Sequence, residues 1–177
     1  MKFRETKLKG VFEIDLEPAC DERGFFARSW CQKEFNARGL SPVLAQCNIS
    51  FSERKGTLRG MHYQQPYPEA KLVRCIRGAI YDVALDLRSD SPTFRSWVAC
   101  VLTAENRRAL YISEGFAHGF QTLVDNTEVF YQMSEFYIEG SGRGVRWDDP
   151  AFAIDWPVPV QVISARDRTY SAFQTVP

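Results

Sequence analysis

Only two histidines, His62 and His118, stand among 177 residues. The first lies in "LRGMHYQQ" (58–65), beside Arg59 and Gly60 and between two segments that read as strands. Such a histidine has two readings. It is a base for proton transfer, because imidazole exchanges protons near neutral pH, or a satisfied core side chain without chemistry. Without a metal, one histidine, one lysine and several tyrosines suit proton abstraction from carbon next to a carbonyl. That reaction needs a base, and a positive charge or donors where the enolate oxygen develops. If the stereocentre inverts, it also needs an acid on the opposite face. Tyrosine can be that acid, with a transferable proton on a rigid ring.

The elements that must position these groups are strands. Short period-two alternations broken by turn residues dominate the chain. In "KLVRCIRGAIYDVALDLR" (71–88), Leu72, Arg74 and Ile76 fall on one face, and Val73, Cys75 and Arg77 on the other. Gly78 then predicts a tight hairpin into a second strand over 79–87. "RSDSPTF" reads as a turn, and "RSWVACVLTA", "RALYIS", "GFQTLV", "EVFYQMSEFY" and "GVRWDD" read as further strands. Helical signal is confined to 31–40, with Gly39 near its end, and to 164–173, opened by Ser164. "WPVPVQ" reads as an extended edge segment. This pattern predicts an all-β chain, a sandwich or a jelly-roll barrel with a few short helices, as one domain over 1–177.

Composition excludes several classes. Apolar residues make up 45%, charged residues 25%, and the formal net charge is zero. Nucleic acid and acidic membrane surfaces are therefore not expected partners. No apolar run is long enough for a membrane span, and the start lacks a secretory pattern. The five cysteines are odd in number and have no C-x-x-C spacing, which predicts neither a disulfide framework nor a zinc site. They and the tryptophans read as core, in a reduced cytoplasm.

Gly56, six residues before His62, Gly78, sixteen after it, and "SEGFAHGF" with His118 resemble the two motifs of the cupin superfamily, a small jelly-roll barrel with a site in its mouth. Metal-binding cupins place two histidines and a glutamate in the first motif. Here that region offers His62, Glu69 and Lys71. Two imidazoles beside an ammonium are a poor cage for a divalent ion, so neither metal nor cofactor is expected.

The resemblance narrows further. "DERGFF" (21–26), "QCNIS" (46–50), "GTLRGMHYQ" (56–64), "KLVRCIRGAIYDVALDLRSDSPTF" (71–94), "YISEGFAHGF" (111–120), "VFYQMSEFY" (129–137) and "ISARD" (163–167) occur in order. Together they resemble the dTDP-4-dehydrorhamnose 3,5-epimerase family, isomerases of nucleotide-linked 4-keto-6-deoxyhexoses. The resemblance implies that His62 is the base, Asp167 its orienting carboxylate, Tyr131 the acid, and Lys71 the charge beside the C4 oxygen. It implies substrate contacts from Arg23, Phe26, Gln46, Asn48, Arg59, His118, Tyr137 and Arg166, with arginine forks suited to diphosphate. It also implies a homodimer formed by exchange of an N-terminal strand, which would cover a sheet edge. Arg28 stands where the family often has a glutamate, and "EGSGRG" has no counterpart to a second one. The resemblance implies that both positions face the nucleotide, which leaves dTDP and another nucleotide such as CDP as alternatives. A 3- or 5-monoepimerase, a 3,4-ketoisomerase and a non-catalytic sugar-nucleotide binding module are the rival readings.

Overall fold

The computed structural model describes residues 1–174; positions 175–177 of the expected 1–177 domain lie outside the described residues. Two sheets face each other. One runs in the order β1 (Lys2–Glu5), β2 (Val11–Asp15), β10 (Ala109–Ile112), β7 (Lys71–Arg77), β12 (Thr127–Met133), β5 (Gln46–Ser52). The other runs β13 (Gly142–Gly144), β6 (Thr57–Gln64), β11 (Phe116–Thr122), β8 (Ala79–Asp86), β9 (Trp97–Thr103). Among the described residues every pairing is antiparallel except one: β14 (Val162–Ile163) lies parallel to β6. This is the double-sheet jelly roll expected from the spacing of short strands. Among the described residues a small hairpin of β3 (Ala19–Asp21) and β4 (Gly24–Phe26) pairs only with itself. No helix among the described residues is long and apolar enough to cross a membrane.

Apolar side chains fill three layers. Val73, Cys75, Leu110 and Val129 of the first sheet meet Ile80, Ala84, Val98, Leu102 and Phe120 of the second. Leu72, Ala109 and Tyr111 point the other way, against Phe35 of α1 (Gln32–Asn36) and Leu40. Met61, Val83, Leu85 and Ala117 back onto Val145 and Phe152. Central strands are thus covered on both faces, and β11 is buried along its whole length. The polar members of that strand, His118, Gln121 and Thr122, are buried with it.

Several expectations need correction. "LRGMHYQQ" does not lie between strands: residues 57–64 are themselves β6. The two helices are shorter than expected, Gln32–Asn36 and Ala165–Arg168 (α2). The "GVRWDD" segment leaves the ladder after Gly144, and "WPVPVQ" forms no strand, because its prolines lack donors. Cys75 and Cys100 are core residues, with thiols pushed by burial up to about 11 and about 12. Cys20 and Cys47 are exposed, Cys31 and the four tryptophans only half-buried.

At the end of β8, Asp86 is fully buried. Burial alone would raise its carboxyl, but bonds from Arg88 (Nε 2.9 Å, Nη2 2.7 Å), Ser91 and Thr93 (both 2.7 Å) hold it far below the usual aspartate range. A depressed carboxyl stabilises the fold above its unfolded value and loses that effect as pH falls toward the folded one. Asp86→Asn is therefore expected to destabilise by about 2–4 kcal/mol at pH 7, with the gap to wild type narrowing below about pH 4. Urea denaturation at pH 7 and pH 3 checks this; an equal gap at both would refute the charge-based account.

Candidate active site

Between the two sheets at one end of the barrel lies a cavity of about 720 Å³. The wall from β6 and α2 carries Arg59, His62, Arg166 and Asp167; the facing wall carries Gln46, Asn48 and Tyr131 from β5 and β12. Lys71 of β7 and His118 of β11 complete the lining, with Tyr137 from the loop after β12.

A bulge explains why Arg59 and His62, three residues apart, line the same cavity. His118 pairs with His62 and Phe120 with Arg59, so β6 spends three residues where β11 spends two. Gly60 makes this possible. Its φ is +134°, and a Cβ there would lie 2.5 Å from the Gly119 Cα.

His62 Nε2 lies 2.6 Å from Asp167 Oδ1, across 105 positions of chain. The second carboxylate oxygen accepts the Gly60 N–H at 3.2 Å. Ser164 caps α2 by accepting the Asp167 N–H at 3.0 Å, which sets the carboxylate at the start of the helix. Burial would raise the Asp167 carboxyl, but the bonds from His62 and Gly60 outweigh it and hold it below the ordinary aspartate value. With Nε2–H given to a carboxylate, Nδ1 is the ring nitrogen free to take a proton. The His62 side chain is 40% exposed, unlike that of Asp167 at 5%.

A second imidazole–carboxylate pair lies deeper, His118 Nε2 to Asp82 Oδ1 at 2.7 Å. Burial pushes the Asp82 carboxyl up, against the pull of His118 and Lys71. Lys71 is itself buried and ion-paired with Glu69, whose other oxygen has no hydrogen-bond partner among the described residues. Across the cavity, burial raises the Tyr131 phenol, with Arg59 opposing, so the hydroxyl keeps its proton at neutral pH. Arg59 itself is braced by the Phe51 carbonyl at 2.9 Å.

Ten of the twelve residues expected from the sequence line this one cavity. Arg23 and Phe26 do not. They sit on the exposed β3–β4 hairpin, where Arg23 pairs with Asp21 and Phe26 is 80% exposed. Thirteen further residues line the cavity, and three polar ones among them carry interactions that were not expected from the sequence. Glu69 pairs with Lys71, and Arg143 presents a guanidinium bonded, among the described residues, only to the carbonyls of Gly140 and Gly142. Gln64 holds the Tyr137 loop, accepting from Ile138 N–H (3.1 Å) and Ser141 Oγ (2.8 Å) and donating to the Phe136 carbonyl (3.1 Å). Its two-residue spacing from His62 was the available signal.

The arrangement offers a carboxylate-held imidazole, a buried ammonium and a protonated phenol on facing walls, which suits proton transfer to and from carbon. A family model described as dTDP-4-dehydrorhamnose 3,5-epimerase matches residues 5–175. The chain is 42% identical over 179 residues to the dTDP-4-dehydrorhamnose 3,5-epimerase of Methanothermobacter thermautotrophicus, covering 99% of this chain and 96% of that protein. It superposes with TM-score 0.93 and 40% identity on the dTDP-4-dehydrorhamnose 3,5-epimerase from Bacillus anthracis with TDP and PPi bound, covering 97% of this chain and 99% of that one. The dTDP-6-deoxy-D-glucose-3,5-epimerase from Legionella pneumophila in complex with dTDP-4-keto-L-rhamnose gives TM-score 0.88 at 38% identity, covering 94% and 89%.

Proposed function

The chain belongs to the dTDP-4-dehydrorhamnose 3,5-epimerase family, and from that premise we propose that it is an isomerase that inverts C3 and C5 of dTDP-4-dehydro-6-deoxyglucose. His62 removes the proton from carbon next to the C4 carbonyl, and the electron pair moves onto the carbonyl oxygen as an enolate. Lys71, with His118 beside it, stabilises that oxygen. Asp167 fixes the imidazole and balances the imidazolium. Tyr131 delivers a proton to the opposite face, and both groups then re-equilibrate with water. Arg59, Arg166, Gln46 and Asn48 hold the diphosphate and sugar, and Tyr137 borders the nucleotide. The observation that carries this reading is that His62 and Tyr131 stand on facing walls of one cavity.

The assembly is a homodimer. In the single chain β1 pairs with its own β2, and the exposed hairpin holds Arg23 and Phe26 away from the cavity. Exchange of the N-terminal segment between copies would bring those two residues to a neighbour's nucleotide. The protein works in the cytoplasm, where exposed thiols such as Cys20 and Cys47 stay reduced.

The test is incubation with dTDP-4-dehydro-6-deoxyglucose in deuterated water, followed by proton NMR. Deuterium at both C3 and C5, with inversion at each, is expected. Exchange at one carbon only would mark a monoepimerase. Exchange only with another nucleotide's sugar would move the preference, and none with any 4-keto sugar nucleotide would overturn the reading.

A further inference from the structure

In the β13–β6 ladder the residue directly across from His62 is Gly144. Cross-strand neighbours on one face ordinarily support each other through their side chains, and glycine has none to offer. The space is filled from elsewhere. A Cβ on Gly144 would lie 2.3 Å from the Tyr170 ring and 2.8 Å from the Met61 carbonyl oxygen. The Tyr170 ring therefore occupies the position of the missing side chain. It meets the His62 imidazole edge to face, with ring centroids 6.3 Å apart and planes at 69°.

Tyr170 comes just after α2, three residues beyond Asp167, so one short turn delivers both groups to His62. Their effects differ. The bond from Asp167 fixes one ring atom, Nε2, but leaves the imidazole able to swing about that anchor. A second contact against the ring is needed to fix its plane, and with it the direction in which Nδ1 points. Among the described residues the buried phenol oxygen of Tyr170 makes no well-formed hydrogen bond, and the cation beside it is the Arg166 guanidinium. The useful part of this residue is its ring.

We infer that Tyr170 is a positioning residue for His62, a surrogate cross-strand neighbour that sets the imidazole plane over Gly144. The inference rests on the proposed role of His62 as base. A proton transfer from carbon is sensitive to aim, and a misplacement of about 1 Å can cost on the order of 10²-fold in rate. Substrate binding does not depend on that aim.

The experiment compares Tyr170→Ala, Tyr170→Leu and Tyr170→Phe by steady-state kinetics. The same variants are compared by long-range ¹H–¹⁵N spectra of the two imidazoles. Tyr170→Ala is expected to lower kcat by about 10- to 100-fold with KM nearly unchanged, and to average the His62 ring signals between tautomers. Tyr170→Phe is expected to restore kcat and the wild-type spectrum. Tyr170→Leu keeps the bulk if the alanine variant folds poorly, and is expected to fall with alanine in kcat, because it lacks a planar edge. Wild-type kcat in Tyr170→Ala or Tyr170→Leu would overturn the inference. So would loss in Tyr170→Phe equal to that in Tyr170→Ala, since the hydroxyl would then be the working group. His62→Ala separates the two levels: if it keeps solvent exchange, the base assignment fails. If it loses exchange while Tyr170→Ala is silent, only the role of Tyr170 fails.

Discussion

His62→Ala is expected to lose solvent exchange and epimerisation together, with turnover down by about 10⁴-fold, while the protein stays folded. The rate estimate is the upper end of what a general base supplies. It applies because the only other histidine, His118, is committed to Asp82 and lies 8% exposed. The fold should survive because His62 faces the cavity at 40% side-chain exposure and belongs to no apolar layer. The cost to stability comes from Asp167, which keeps the Gly60 N–H but loses its charge-assisted bond, roughly 1–3 kcal/mol. Deuterium uptake, product configuration and a denaturation curve on one preparation read all three effects. Retained exchange would remove His62 from the chemistry; global unfolding would make it a structural histidine after all.

Tyr131→Phe is expected to fail differently. His62 and Tyr131 arise from strands of opposing sheets, β6 and β12, and in the proposed mechanism they act on opposite faces of the sugar ring. Without the phenol proton, His62 can still remove a proton and return a solvent-derived one to the same face. Deuterium uptake should then persist with retained configuration, while inversion falls by about 10²–10⁴-fold. Packing is preserved, because the Tyr131 ring lies against the inter-sheet core and a phenyl group fills the same space. Stability should change by no more than about 1 kcal/mol. Following label and configuration at C3 and C5 in the same sample decides the matter. Equal loss of both signals would mean that the acid is another group.

Much of the fold could be read because β-strand alternation survives wherever one face meets one layer. Val73 and Cys75 point to the inter-sheet core and Leu72 away from it, as period two requires. The signal weakened where both faces are covered or where a bulge intervenes. The β6 segment carries Gly60, His62 and Gln64 on its way through the sheet, and polar or glycine residues inside a strand read as a loop. The close approach of Gly60 to Gly119 is invisible without the partner strand. Ten residues of the cavity were legible through resemblance to a family. The pairing of Lys71 with Glu69 was not, since the sequence offered Glu69 only as a failed metal ligand. Arg23 and Phe26 illustrate the opposite limit: a motif can announce a role that one chain, folded alone, leaves outside the cavity.

The parallel pairing of β14 with β6 has a consequence for synthesis. Val162 and Ile163 align with Thr57 and Leu58, and this return of the chain delivers Asp167 to a histidine made 105 residues earlier. At translation rates of about 5–20 residues per second, some 5–20 s separate the two partners on the ribosome. Contacts so distant along the chain close late, after the loop entropy between them has been overcome. The nascent polypeptide thus carries its imidazole through most of elongation without the carboxylate that orients it. With the proposed role of Asp167, turnover is expected to begin only when β14 has docked, so that activity in a translation reaction would time the completion of the barrel itself.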